Sequence, residues 1–166
     1  GREVRRYRLH FVCPQQLWNS AWGFGGSAPG CLDGLSFKLG KLHLLTALVA
    51  GVFWLARRRF WPKTINLPLG VAAGVTLVAV FLMTKASVWL WPLMPFSAYI
   101  QYPWRFLTFT IFGLSFISGG IVLIWKNRLL RWLCAGALII GVVTINSKWF
   151  VPQYIYQRSA ADFETE

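Results

Sequence analysis

The residues Ser97-Ala98-Tyr99-Ile100-Gln101-Tyr102-Pro103-Trp104-Arg105-Phe106-Leu107 lie between two long apolar runs of the chain. Their single cation, Arg105, is therefore expected where hydrocarbon meets water. Aromatic residues with an N–H or O–H group concentrate at the same boundary, and Tyr99, Tyr102 and Trp104 flank this cation. Two roles are open for Arg105. It can reach the lipid headgroups as an anchor, or it can bind a phosphate with its planar set of donors.

The composition indicates a membrane protein. Only 13% of the 166 residues are charged and the mean hydropathy is +0.51, whereas soluble domains carry roughly 25% charged residues. The net charge of +12 comes from 17 Lys and Arg against 5 Asp and Glu. These cations form short clusters between apolar runs, which is typical of loops facing anionic headgroups. The sequence therefore predicts the lipid bilayer as a partner and does not favour nucleic acid.

Four apolar runs predict membrane-spanning helices, at about residues 36–56, 64–84, 106–125 and 129–145. Asp33 is expected to cap the N-terminus of the first helix, and Lys38 and Lys41 to share a face of its first turns. The run between the second and third spans is short and contains three prolines. That pattern favours an interfacial or re-entrant segment over a crossing. The predicted fold class is all-α, a polytopic membrane helix bundle of about four transmembrane helices in two hairpins.

The chain divides by composition into three parts. Residues 1–34 are expected to form an interfacial segment and a Gly-rich loop, residues 35–150 the membrane bundle with an outer loop at 85–105, and residues 151–166 a polar tail. Interface positions are predicted for four tryptophans: Trp18, Trp22, Trp91 and Trp104. Because the chain starts with Gly and ends in mid-pattern, we expect it to be part of a longer protein.

The distribution of cations predicts a multi-pass protein of the cell membrane with a defined orientation. Two short turns, one with Arg57, Arg58, Arg59 and Lys63 and one with residues 126–131, lie on the same predicted side, which the positive-inside rule makes cytoplasmic. The Gly-rich loop, the Arg105 loop and both chain ends then face outward. The basic residues between positions 2 and 8 oppose this orientation, but they lie far from the first span.

The cysteines and histidines indicate no metal site. Cys13 and Cys31 could share one membrane face and pair if that face is oxidising, but the sequence does not fix their distance, so the unpaired state is favoured. Cys134 reads as a small core residue. The two histidines, His10 and His43, are too scattered for a metal site, and no cofactor is evident.

Two motifs resemble one protein family. They are the run Pro14-Gln15-Gln16-Leu17-Trp18-Asn19-Ser20-Ala21-Trp22-Gly23-Phe24-Gly25-Gly26-Ser27-Ala28-Pro29-Gly30 with Asp33-Gly34-Leu35-Ser36-Phe37, and the run Ile100-Gln101-Tyr102-Pro103-Trp104-Arg105-Phe106-Leu107. The chain resembles a middle part of the large bacterial and archaeal membrane proteins catalogued as 6-pyruvoyl-tetrahydropterin-synthase-related. These are similar in plan to GT-C type glycosyltransferases. The soluble synthase of that catalogue name uses three histidines to hold zinc, and this chain has two in total.

The resemblance implies a role in cell-envelope glycan assembly, with a polyprenyl-phosphate-linked sugar as a partner on the outer face of the membrane. Enzymes of the GT-C type rely on an acid in an early outer loop. A middle fragment lacks that loop, so the question of enzymatic activity stays open and the fragment alone is expected to be inactive. Only this resemblance suggests a divalent metal ion as a cofactor.

The candidate site consists of cations and one acid. Arg105, Gln101, Lys38 and Lys41 are predicted to bind a lipid phosphate, although snorkelling is an alternative for each cation. Asp33 is a weak candidate for a catalytic base, with helix capping as its other role. A non-catalytic module that binds or moves lipid-linked glycans is the second function hypothesis. In the third, every motif is an interfacial anchor.

Overall fold

A computed structural model of the protein describes residues 7–20, 26, 28–95, 97–100 and 102–149. The described residues form six α-helices, which we number in chain order, joined by short 3₁₀ turns. The helices are α1 (Pro14–Trp18), α2 (Lys41–Arg57), α3 (Lys63–Met83), α4 (Ser97–Ile100), α5 (Leu107–Gly119) and α6 (Arg128–Asn146). The prediction of an all-α fold is confirmed for this part of the chain.

Within the described residues, three helical segments are long and apolar enough to cross a membrane: Lys63–Met83, Pro103–Ile124 and Arg128–Asn146. They match the second, third and fourth predicted spans to within a few residues. The third segment contains α5 with a 3₁₀ turn at each end, Pro103–Phe106 and Gly120–Ile124.

The first predicted span begins later than expected. Residues 35–39 are not helical, and Gly40, at φ 82°, directly precedes the first residue of α2. In this stretch Phe37 and Leu39 are buried while Lys38 between them is half-buried, as in an extended strand-like segment. The helix that follows has 17 residues. The prediction of four spans therefore stays a prediction for this first segment.

The chain forms two compact units, Gly1–Lys126 and Asn127–Glu166. In the first unit α5 packs against both α2 and α3. The backbones of α5 and α3 come close at Gly113, where a Cβ would lie 3.0 Å from the carbonyl oxygen of Ala72 on α3. A second tie joins α5 to α2, because the hydroxyl of Ser118 donates to the carbonyl of His43 at 3.0 Å. In the second unit, the side chain of Asn127 caps α6 by accepting from the N–H of Leu129 at 2.8 Å.

The first unit has two chemically different ends. The turn at residues 58–62 joins α2 to α3 at one end of the unit. At the other end the segment before α2 and the end of α3 both bond to the N-terminal segment, through Leu39 with Leu17 and Met83 with Val12. Asn66 holds that turn, since its amide donates to the carbonyls of Arg58 and Trp61, both at 2.8 Å. We call the turn end, with Arg57, Arg58, Arg59 and Lys63, the arginine end.

Candidate functional site

The end opposite the arginine end carries the predicted site. Here side chains from residues 7–17 and 35–37 pack on the last turn of α3 and on residues from 91–94 and 104–107. The N–H of Val12 donates to the carbonyl of Met83 at 2.8 Å, and both side chains are buried with Phe37 in one apolar cluster. Burial of these apolar side chains is what attaches the N-terminal segment to the helices.

A disulfide joins Cys13 and Cys31. The sequence analysis favoured unpaired cysteines, and that expectation is wrong. The reason is the fold: α1 starts just after Cys13, and the chain returns alongside α1, with the N–H of Leu39 donating to the carbonyl of Leu17 at 3.0 Å. The return brings the two cysteines to a Cα–Cα distance of 5.8 Å, within the usual range for a disulfide. We call this end of the first unit the disulfide end.

Asp33 does not cap α2, so the predicted capping role is wrong. Its carboxylate is buried at 8% exposure, and it accepts from the amide of Gln16 and from the N–H of Ala28, both at 2.9 Å. Gln16 also accepts from the N–H of Cys13 at 2.8 Å. The carboxylate therefore holds the loop around the disulfide in place. A buried carboxylate engaged by two donors is arranged for structure, and its geometry does not favour a catalytic base.

Trp91, for which a position at the membrane interface was predicted, lies in the interior of the protein. Its side chain is fully buried, stacked on Tyr7 at 5.1 Å and edge-on to Phe11 at 5.8 Å. Its indole N–H donates to the carbonyl of Leu82 at 3.1 Å and contacts the hydroxyl of Ser87 at 3.2 Å. Trp91 is thus the centre of the apolar core at the disulfide end.

Arg105 lies at the surface of the disulfide end. It belongs to the 3₁₀ turn Pro103–Phe106, which leads into α5, and its side chain is exposed. The guanidinium carbon lies 5.7 Å from the centre of the Tyr102 ring, which is cation–π geometry. In the described residues Asp33 is the only carboxylate, and it is held by Gln16 and Ala28. The guanidinium of Arg105 is therefore exposed and contacts an aromatic ring of the described chain.

A row of rings supports Arg105. Tyr102 stacks on Trp104 with ring centres 5.7 Å apart, and Trp104 contacts Phe37 at 6.2 Å. On its other side Tyr102 meets the ring of His10 edge-on at 5.0 Å. Because Phe37 is buried in the core, the row ties the surface of the site to the interior of the unit.

Lys38 and Lys41 belong to the same end but not to one helical face. Lys38 lies in the extended segment before α2, whereas Lys41 is the first residue of the helix. The ammonium of Lys41 lies 5.2 Å from the centre of the Trp18 ring, and Trp18 itself is 49% exposed. The structure therefore pairs Lys41 with a tryptophan of α1, while Arg105 pairs with Tyr102.

Two predicted residues, Gln101 and Trp22, lie outside the described residues. Trp104 is half-buried, and its indole N–H is buried without a hydrogen-bond partner in the described structure. The position of Trp104 therefore depends on its stacking with Tyr102 and on packing against the buried cluster of Phe37 and Met83.

The sequence analysis missed Gln16, which connects Cys13 to Asp33. A local signal was present: Pro14 occupies the first position of α1 and Gln16 the third, where a Gln can bond back to the residue before the helix. It also missed Tyr7 and Phe11, whose burial depends on contacts with Trp91 far along the chain.

No protein-family model, curated protein or solved structure matches the chain. In the part of the chain that the structure describes, no three residues among His, Cys, Asp and Glu come together as a metal-binding group.

Proposed function

We propose that this chain is a membrane-embedded part of a protein of cell-envelope glycan assembly, similar to GT-C glycosyltransferases, and that its disulfide end binds the phosphate of a polyprenyl-phosphate-linked sugar. The observation that carries the proposal is the exposed guanidinium of Arg105, supported by Tyr102 and unopposed by a carboxylate of the described chain. A guanidinium offers two parallel donors to a phosphate.

The geometry favours binding over catalysis in this chain. Glycosyl transfer needs a carboxylate that can reach the reacting groups, and Asp33 is buried and engaged by Gln16 and Ala28. We therefore assign phosphate binding to Arg105, with Lys38 and Lys41 as further cations at the same end. If the whole protein is an enzyme, we place its catalytic acid in another part of it. A divalent metal is not required for the binding role.

We propose that the disulfide end faces the outside of the cell and the arginine end the cytoplasm. Disulfides persist in oxidising compartments, which supports the first assignment. Four exposed cations around one short turn support the second. In this arrangement α2 also crosses the membrane, which brings the number of spanning helices to four. Its 17 residues reach the lower limit of about 17 residues for a crossing, and it packs along α5.

The test is the affinity of the full-length protein, reconstituted in lipid nanodiscs, for farnesyl phosphate. Arg105→Gln and Arg105→Lys are compared with Arg59→Gln, a matched exposed arginine at the arginine end. We expect both Arg105 variants to raise the Kd by at least tenfold, since hydrogen bonds to charged groups contribute about 1.5–3 kcal/mol, and Arg59→Gln to leave it unchanged. If Arg105→Gln binds as well as the wild type, Arg105 is an anchor and the proposal is wrong. If Lys restores binding, charge rather than fork geometry is what the site uses.

A further inference from the structure

The arginine end carries four exposed cations and, among the described residues, no acid. The cations are Arg57, Arg58, Arg59 and Lys63. The only carboxylate of the described chain, Asp33, lies at the disulfide end and is engaged in hydrogen bonds there. Such a concentration of positive charge attracts an anion from outside the described chain.

The turn that carries these cations is held by Asn66 of α3. The side-chain amide of Asn66 donates to the carbonyls of Arg58 and Trp61, both at 2.8 Å. Its oxygen accepts from the indole N–H of Trp54 on α2 at 2.9 Å. One side chain thus fixes the backbone of the turn to both helices. Membrane orientation depends on where cations are in the chain, so the fixed turn adds a geometry that orientation alone does not use.

The three arginines leave the turn in different directions. Arg57 ends α2, and Arg58 and Arg59 begin the 3₁₀ turn that follows. Consecutive residues are separated by about 100° around an α-helix and by about 120° around a 3₁₀-helix. The guanidinium carbon of Arg57 lies 5.5 Å from the centre of the Phe53 ring. The Cα–Cβ bonds of the arginines therefore fan out, which fits two separated phosphates better than one.

Apolar side chains surround the cations. Phe60, which follows the arginines, is 82% exposed, and Leu55 and Leu67 on the adjoining turns of α2 and α3 are 55% and 69% exposed. A water-soluble anion would leave these side chains in water. A lipid headgroup instead lies at the level where cations meet exposed apolar residues, and α3 is apolar and long enough to cross a membrane. The surroundings therefore favour a lipid as the source of the anion.

We propose that the arginine end binds the headgroup of cardiolipin, an anionic phospholipid in which a glycerol joins two phosphates. This site is separate from the phosphate site at the disulfide end and does not rest on it. Each arginine can donate two parallel hydrogen bonds to a phosphate, and four cations exceed the charge of a lipid with one phosphate. Basic surfaces at the cytoplasmic ends of membrane helices are typical of cardiolipin sites.

The test titrates the full-length protein in neutral detergent and counts bound molecules by native mass spectrometry. Cardiolipin is compared with phosphatidylglycerol at equal phosphate and with the water-soluble headgroup bis(glycerophospho)glycerol. Arg59→Gln removes one cation, and Arg59→Lys keeps the charge without the planar set of donors. Asn66→Ala keeps every charge but releases the turn. Arg128→Gln, at the exposed start of α6, is the matched control.

We expect the wild type to bind cardiolipin at least about tenfold more tightly than either of the other probes. Arg59→Gln and Arg59→Lys should each raise the Kd for cardiolipin about tenfold, the loss of one charge-assisted hydrogen bond. Asn66→Ala should raise it as well, because the arginines are no longer held in place. Arg128→Gln should leave it unchanged.

Three results would each overturn the inference. An equal Kd for cardiolipin and phosphatidylglycerol would remove the two-phosphate assignment. An equal Kd for the water-soluble headgroup would show that the site takes free phosphates and not a lipid. Wild-type affinity for cardiolipin in either Arg59→Lys or Asn66→Ala would show that charge alone attracts the lipid, and the cluster would then serve only to orient the chain.

Arg59→Gln and Arg105→Gln separate this inference from the proposed function. Farnesyl phosphate carries one phosphate and reports on the disulfide end, whereas cardiolipin reports on the arginine end. We expect Arg59→Gln to weaken cardiolipin alone and Arg105→Gln to weaken farnesyl phosphate alone. If only Arg105→Gln has its effect, the inference is wrong and the proposed function stands. If only Arg59→Gln has its effect, the cardiolipin site stands and the proposed function is wrong.

Discussion

Gly113 of α5 lies against Thr76 of α3 with no room for a side chain between them. A Cβ on Gly113 would overlap the Thr76 hydroxyl and lie 3.0 Å from the carbonyl oxygen of Ala72. Thr76 is itself fixed, because its hydroxyl donates to that same carbonyl at 2.8 Å and the residue is buried. Small residues at such crossings let helix backbones approach closely in membranes.

We therefore expect Gly113→Ala to lower the free energy of unfolding by about 1–3 kcal/mol, the usual effect of overpacking. Gly119→Ala is the control, because a Cβ at Gly119 near the end of the same helix would meet nothing within 4 Å. Thermal and denaturant unfolding in detergent micelles would measure both. Equal stability of the two variants would show that α3 and α5 are further apart than described here.

Asp33 and Gln16 should behave as one unit. Replacing either by Ala removes their mutual hydrogen bond and leaves a buried polar group with one partner fewer, so each change should cost about 1–3 kcal/mol of unfolding free energy. The double variant should cost less than the sum, with a coupling of about 1 kcal/mol. If Asp33 were a helix cap, its contribution to stability would not depend on Gln16. Stability losses of the two single variants that add up exactly in the double variant would therefore contradict the hydrogen bond between the two side chains.

Trp91 and Trp89 offer a matched pair two residues apart. Trp91→Phe removes the indole donor from a fully buried site and leaves the carbonyl of Leu82 without it, so we expect a loss of about 1–3 kcal/mol. Trp89 is 63% exposed, and Trp89→Phe should change stability by less than about 0.5 kcal/mol. Unfolding followed by circular dichroism distinguishes them. The opposite ranking would place Trp89, and not Trp91, in the core.

The proposed orientation predicts which positions a membrane-impermeant maleimide can reach in intact cells. Tyr99 lies at the disulfide end, because the next residue, Ile100, packs on the apolar core there. Phe60 lies in the turn of the arginine end. Tyr99 is 83% exposed and Phe60 is 82% exposed. With Cys134→Ser as the background, Tyr99→Cys should be labelled in intact cells and Phe60→Cys only after permeabilisation. The reverse pattern would invert the proposed orientation.

The sequence predicted the long helices well because hydrophobicity over some 20 residues is a property of the local chain. The uncharged run that became α3 begins and ends within one residue of the prediction. The start of α2 was predicted too early, because backbone conformation and not hydrophobicity sets it. The apolar residues Phe37 and Leu39 continue the hydrophobic run, but Gly40 at φ 82° separates them from the helix.

The site was only partly predictable. The exposed position of Arg105 in the turn before α5 could be expected from its place between apolar runs, while its phosphate binding stays a prediction. The roles of Asp33 and Trp91 depend on partners 17 and 9 residues away, Gln16 and Leu82, and hydropathy carries no information on such pairs. An Asp before an apolar run resembles a helix cap, and a Trp near prolines resembles an interfacial residue, whatever the tertiary contacts.

The contact between Val12 and Met83 has a consequence for how the chain assembles during synthesis. Cys13 and Cys31 are both made before α2, so their bond can close before α2 and α3 exist. The partner of Val12 exists only after α2 has left the disulfide end and α3 has returned to it. The N-terminal segment can therefore pack on Met83 only after the whole of α3 has been made. This contact requires the end of α3 to lie beside the segment that precedes α2.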